Sequence, residues 1–166
     1  MKMKKIVMLI SLTLILFVPL IVASGCSSEE ITPVQSSQEN LTENDEAMKD
    51  TITITVGGRV FKAALEGNAA ATAFKAMLPL TINMKDLNSN EKFFDFSSNL
   101  PASASNPGTI NSGDLMLWGS NTLVLFYKTF NTSYSYTRLG KIENPSGLSE
   151  ALGSGDVSVK FETLED

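Results

Sequence analysis

The chain of 166 residues contains no histidine and one cysteine, Cys26. Without imidazole there is no Ser-His or Cys-His nucleophile, no histidine general base and no histidine-bound metal. A lone cysteine closes no internal disulfide and builds neither a zinc knuckle nor a CxxC redox pair. Arginine is limited to Arg59 and Arg138, and glutamine to Gln35 and Gln38. The formal net charge of −5 argues against a nucleic-acid partner, since phosphate binding needs a basic patch. No D-x-D-x-D-G run supports a calcium loop. Gly153-Ser154-Gly155-Asp156 looks like an anion nest but lacks the following lysine and helix. Ser89-Asn90-Glu91-Lys92 matches S-x-x-K without its partner motifs. Neither metal nor cofactor is expected.

What is abundant comes first at the N-terminus. Lys2, Lys4 and Lys5 precede an apolar run from Ile6 to Ala23, interrupted by Ser11, Thr13 and Pro19. A run of that length could span a bilayer. Its N-terminal position and its end in Ala23-Ser24-Gly25-Cys26 favour a secretory signal instead. The tetrapeptide resembles the lipobox of bacterial lipoprotein signal peptides, with Ala23 where leucine is usual. The resemblance implies that residues 1–25 are a removed signal and that Cys26 is lipidated. The chain is then held on the extracytoplasmic face of a bacterial membrane. One acyl chain binds reversibly, at about 10⁴ M⁻¹, so stable anchoring needs the two or three chains of a lipoprotein.

Residues 26–50 read as this cysteine and an acidic tether. From Ser27 to Asp50, seven of 24 residues are acidic, one is basic and none is aromatic. Such a segment has no core to offset its ordering entropy. As a flexible chain it spans about 27 Å. Residues 51–166 are nearly balanced, with 9 basic and 11 acidic side chains.

Hydrophobic patterning begins at Thr51. Ile52, Ile54 and Val56 alternate with threonines, the mark of a half-buried strand. Gly57-Gly58 signals a two-residue hairpin into a strand from Arg59 to Leu65. Asn68 suits an N-cap for a short helix over 69–77, which ends before Pro79. Further strands are expected at 80–87, 92–96, 115–118, 122–127, 134–142 and 156–161. A short helix or turn is expected at 145–152. Asn99 to Gly113 reads as a long loop that could close a pocket. Eight short strands with one or two small helices suggest a closed antiparallel barrel or a sandwich.

Three segments carry a family resemblance. They are Lys92 to Pro101 (KFFDFSSNLP), Gly113 to Asn121 (GDLMLWGSN), and Ser135 to Ile142 (SYTRLGKI) followed by Gly155-Asp156-Val157. In this order and spacing they resemble the small bacterial cyclophilin-like family. The resemblance covers about residues 51–164 and implies a mainly β fold, a closed eight-stranded antiparallel barrel with short helices at its ends. True cyclophilins are peptidyl-prolyl isomerases whose groove uses an arginine, a histidine, a tryptophan and a Phe-Met-x-Gln-Gly-Gly run. Here the histidine and that run are absent, and both glutamines lie in the tether.

The residues themselves offer two candidate groupings. Tyr134, Tyr136 and Arg138 fall at i, i+2 and i+4, the spacing of one strand face, where aromatics beside a cation grip a peptide or sugar. The alternative is an ordinary barrel strand with long side chains on its outer face. Phe93, Phe94, Phe96, Phe126, Tyr127, Phe130 and Trp118 concentrate the aromatics, at spacings more typical of core. The ligand-binding candidates are therefore Phe93, Phe94, Trp118, Tyr127, Tyr134 and Tyr136, with Arg138 as the candidate catalytic group. Arg59 follows the hairpin turn and reads as a solvated tip charge. The leading expectation is a lipid-anchored binding module for a peptide, partner protein or small ligand. The competing one is a divergent prolyl isomerase acting on exported proteins. The anchor itself is testable. Cys26→Ser is expected to release the protein from the membrane fraction or to leave an uncleaved precursor. A processed mutant that still partitions into the detergent phase would sink the lipoprotein reading.

Overall fold

Ile52, Ile54 and Val56 are fully buried and the threonines between them half-buried, so the alternation forms strand β1 (Thr51–Val56). Gly57 and Gly58 take φ of 57° and 79°, the left-handed pair that a tight hairpin requires, and lead into β2 (Arg59–Leu65). The computed structural model describes residues 50–164; the leader, Cys26 and the tether as far as residue 49 lie outside the described residues. Among the described residues no helix is long and apolar enough to cross a membrane.

Asn68 caps α1 (Ala69–Lys75) by accepting a hydrogen bond from the Ala71 amide at 2.9 Å. Its Nδ2 donates to the Arg138 carbonyl, which ties the helix start to the barrel wall. β3 (Leu80–Leu87) and β4 (Glu91–Asp95) are joined through Asn88 and Ser89, both at φ 53°. The Asp86 carboxylate accepts from the Ser89 amide and holds that left-handed turn without a glycine.

The loop over 99–113 carries a two-residue strand the sequence reading leaves as loop, β5 (Thr109–Ile110). β6 (Asp114–Trp118) and β7 (Thr122–Phe126) follow, then β8 (Phe130–Asn131), which pairs only with β5. β9 is Thr137–Ile142, α2 is Leu148–Leu152 and β10 is Val157–Thr163. Eight strands close an antiparallel barrel in the order β1-β10-β3-β4-β7-β6-β9-β2. The expected fold class, mainly β with a closed eight-stranded barrel and two short helices, is what the chain adopts.

Burial explains the loop. Leu115, Leu117, Leu123 and Leu125 belong to the core inside the barrel, with Phe74 of α1 and Leu148 and Leu152 of α2. Met116, Val124 and Phe126 belong to a second, separate apolar cluster with Ile110 and Tyr136. The two central strands thus bury both faces, and segments 99–113 and 127–136 supply the outer cover. That cover corrects the expected strand over 134–142. Tyr136 meets Ser105 in an isolated bridge, and regular pairing starts only at Thr137.

Lys92 is fully buried, a rare state for an ammonium. Its Nζ donates to Asp86 Oδ2 at 2.6 Å and to the carbonyls of Gly155 at 2.7 Å and Gly153 at 2.9 Å. The segment at 153–156 therefore offers carbonyls to a cation, the reverse of an anion nest. Tyr127 donates its hydroxyl to the same Asp86 oxygen at 2.8 Å.

A bulge interrupts the pairing of β6 with β9. Leu115 faces Gly140 while the next residue, Met116, faces Arg138, so Leu139 is extra. Leu139 and Gly140 are consequently both buried. A Cβ at position 140 would lie 2.5 Å from the Ala64 carbonyl oxygen and 3.1 Å from the Leu65 Cα. That backbone has no room to give within the β2–β9 ladder. Gly140→Ala is expected to lower stability by about 1–3 kcal/mol, read from urea denaturation. An unchanged midpoint would show that β2 and β9 separate easily.

Candidate functional site

Strand geometry sets one residue list on the outer face of the barrel. Glu91, Phe93 and Asp95 fall at i, i+2 and i+4 of β4, so they share a face. Their partners across the ladder are Phe126, Val124 and Thr122, and Trp118 of β6 pairs with Thr122 in turn. Above this face the segment from Phe130 to Tyr136 stands off and leaves a cavity of about 540 Å³. Phe93, Phe130, Trp118, Tyr134 and Tyr136 give it aromatic walls. Trp118 is 54% exposed and Tyr134 66%, so they form the rim, whereas Tyr136 is buried. Tyr136 packs edge-on to Phe126, with ring centroids 5.5 Å apart.

The polar groups of the cavity are acidic or neutral, and no lysine or arginine lines it. Glu91 is only 9% exposed. Its carboxyl makes no hydrogen bond or ion pair among the described residues. Burial, and then the charge of Asp86, push it up to about 6. Asp86 itself is held below the usual carboxylate range by the hydrogen bonds from Lys92 and then Tyr127. The hydroxyls of Tyr127 and Tyr136 are both pushed up, first by burial; Tyr127 reaches about 12, helped by its bond to Asp86. Next to Glu91, the side-chain Oδ1 of Asn90 is buried without a partner. Asp95 accepts from the Thr122 hydroxyl at 2.6 Å.

The structure brings together four of the candidates named from sequence: Phe93, Trp118, Tyr134 and Tyr136. It sends the other two elsewhere. Phe94 packs against the interior core, edge-on to Phe96. Tyr127 is buried in that core and spends its hydroxyl on Asp86. Their positions follow from parity, since Phe94 alternates with Phe93. Arg138 is also parted from the tyrosines. It lines a separate groove of about 320 Å³ with Glu66, Asn68 and Pro101, which contains no aromatic side chain. Arg59 is exposed, but it is not a free tip charge: its guanidinium donates to the Gly147 carbonyl at 3.1 Å. Among the described residues no cluster of acidic or cysteine ligands could hold a metal ion.

Sequence reasoning missed Glu91, Asn90 and Phe130 as cavity residues. The signal for Glu91 was present in its alternation with Phe93 and Asp95. A strand expected to start at Lys92 hides it; β4 begins at Glu91.

The fold defines the class of protein, a mainly β domain built on a closed eight-stranded antiparallel barrel. A sequence model of the cyclophilin-like family matches residues 54–162, and the chain belongs to that family. A comparison with curated proteins finds no match. Among solved structures, the chain resembles the solution structure of a hypothetical protein from Archaeoglobus fulgidus. The identity is 16% and the TM-score 0.49, over 70% of this chain and 95% of the other.

The buried carboxyl makes stability depend on pH. Folded Glu91 keeps its proton up to about pH 6, against an ordinary value of 4.5. The folded state binds the extra proton between those values, so the stability this group contributes is complete below 4.5 and is lost as pH rises through 6. Glu91→Gln, neutral at every pH, is expected to exceed the wild type by about 2 kcal/mol at pH 7.5 and to match it near pH 4.5. Urea denaturation at the two pH values checks this; an equal gap at both would contradict the assignment.

Proposed function

We propose that the domain is a non-catalytic binding module whose outer aromatic cavity takes a short peptide segment or a small ligand. The observation that carries this reading is an aromatic cleft of about 540 Å³ without an arginine. Prolyl isomerisation must lower a barrier of about 18–20 kcal/mol, which calls for a donor set against the amide nitrogen. The arginine that could supply it, Arg138, lies in another groove. The volume falls in the range of small-ligand sites, and the rim offers stacking surfaces at low entropic cost. The lipobox-like segment supports placing this module on the extracytoplasmic face of a bacterial membrane, held by lipid on Cys26 and reaching out on the acidic tether.

Two measurements test the reading. In a protease-coupled assay with an X-Pro chromogenic peptide, no acceleration over the uncatalysed reaction is expected. That reaction takes tens to hundreds of seconds, so modest catalysis would be visible. In a fluorescence titration, N-acetylphenylalaninamide is expected to perturb the emission of Trp118, the single tryptophan, saturably. Phe93→Ala should weaken that response while the β-sheet circular dichroism is retained. A rate enhancement abolished by Arg138→Ala would overturn the proposal in favour of an isomerase.

A further inference from the structure

The binding reading leaves the chemistry of the ligand open, and the cavity constrains it. Glu91 is only 9% exposed, lines the cavity and makes no hydrogen bond or ion pair among the described residues. A carboxylate so largely withdrawn from water is costly unless something pairs with it. The adjacent Asn90 carries a fully buried Oδ1 with no donor among the described residues. Both groups accept hydrogen bonds, and both line the same cavity.

The surroundings supply no internal cation. Lys92, the next residue along β4, is committed to Asp86 and to the carbonyls of Gly153 and Gly155. Asp86 on β3 and Asp95 on β4 add negative charge near the site. Tyr127 after β7, and Tyr134 and Tyr136 from the covering segment, complete the titratable groups facing Glu91, and the buried hydroxyls of Tyr127 and Tyr136 hold their protons more tightly than usual. Around the acceptors stand the faces of Phe93, Phe130, Trp118, Tyr134 and Tyr136. Aromatic faces attract a cation, most strongly when it is desolvated.

We infer that the cavity selects ligands carrying a protonated nitrogen on an apolar stem, with the ammonium or guanidinium group against Glu91 and Asn90 and the stem between the aromatic walls. This rests on the binding reading above and adds the sign of the charge and the residue that reads it. The same chemistry occurs in a free primary amine and in a lysine or arginine side chain of a peptide.

The test uses the full-length chain in phosphatidylcholine vesicles, with Trp118 emission as the reporter. Phenethylammonium is compared with phenethyl alcohol, and an acetylated Phe-Lys-Phe amide with its norleucine counterpart. At pH 7.5 each cationic probe is expected to bind about tenfold or more tighter than its neutral partner. Glu91→Gln should remove that preference and leave the neutral probes unaffected. Lowering the pH to 5 should weaken the cationic probes about tenfold, because an acid near 6 is then mostly protonated. A preference shown by the peptide pair alone assigns the cation to a side chain; one shown by the small pair alone assigns it to a free amine. Equal binding of charged and neutral probes, or a preference that survives Glu91→Gln, would overturn the inference while leaving the binding module intact. Absence of binding by all four probes would overturn both.

Discussion

An ammonium with no exposed surface sits where three parts of the chain meet. Taking Lys92 out of water costs several kcal/mol unless its protons are all used. Here they are used, on the Asp86 carboxylate and on two carbonyls just before β10. Asp86 in turn holds the Ser89 amide in the left-handed turn and receives the Tyr127 hydroxyl at the end of β7. The Lys92 ammonium also lies 5.4 Å from the Tyr127 ring centroid. One ion pair therefore fixes the β3–β4 hairpin, the exit from β7 and the entry to β10. The electrostatics of the cavity descend from it as well. Asp86 stays charged because Lys92 is there, and its charge helps push Glu91 up.

The cavity exists because β6 and β7 are apolar on both sides. A barrel needs one buried face per strand; the second face here requires its own cover. The long loop and the segment after β7 meet this need with Ile110, Phe130 and Tyr136. Phe126 lies fully buried beneath this cover. Over Val124, Thr122 and Trp118, and as far as Glu91 and Asn90, the cover stands away, and the space left is the cavity. Cavity and second core are thus parts of one layer and share Phe93, Val124, Phe130 and Tyr136.

The barrel was legible because its signals are local. Strict alternation in Thr51–Val56, the Gly57-Gly58 pair and the Asn68 cap each depend on neighbours in sequence. The apolar runs at Leu115–Trp118 and Thr122–Tyr127 were equally plain as strands. What lay beneath them was not, because burial on a second face depends on a loop whose Thr109–Ile110 strand is too short to carry a pattern. Site residues divide on the same ground. Phe93, Trp118, Tyr134 and Tyr136 could be named from aromatic character alone. Glu91 has its alternation with Phe93 and Asp95 to mark it, but a glutamate beside a lysine after an Asn-Ser-Asn turn reads as a solvated tip. Its burial arises from pairing with Phe126 and from the covering segment 130–136. Lys92 misleads in the same way, its three acceptors coming from residues six and about sixty positions away.

Closure of the barrel has a consequence for how anything is held. Every strand of the main sheet has a hydrogen-bonded neighbour on both sides, so no strand offers a full-length edge to an added one. Some ladders are partial, β2 meeting β9 only over Ala63–Leu65 and β3 meeting β4 only over Lys85–Leu87, and β5 and β8 pair over two residues each. An extended polypeptide finds no full-length edge for strand addition, the mode that tolerates many sequences. On the binding reading proposed above, contact in the cavity passes mainly through side chains. A ligand held in this way would be read by one or two of its groups, with the chain on either side left unread.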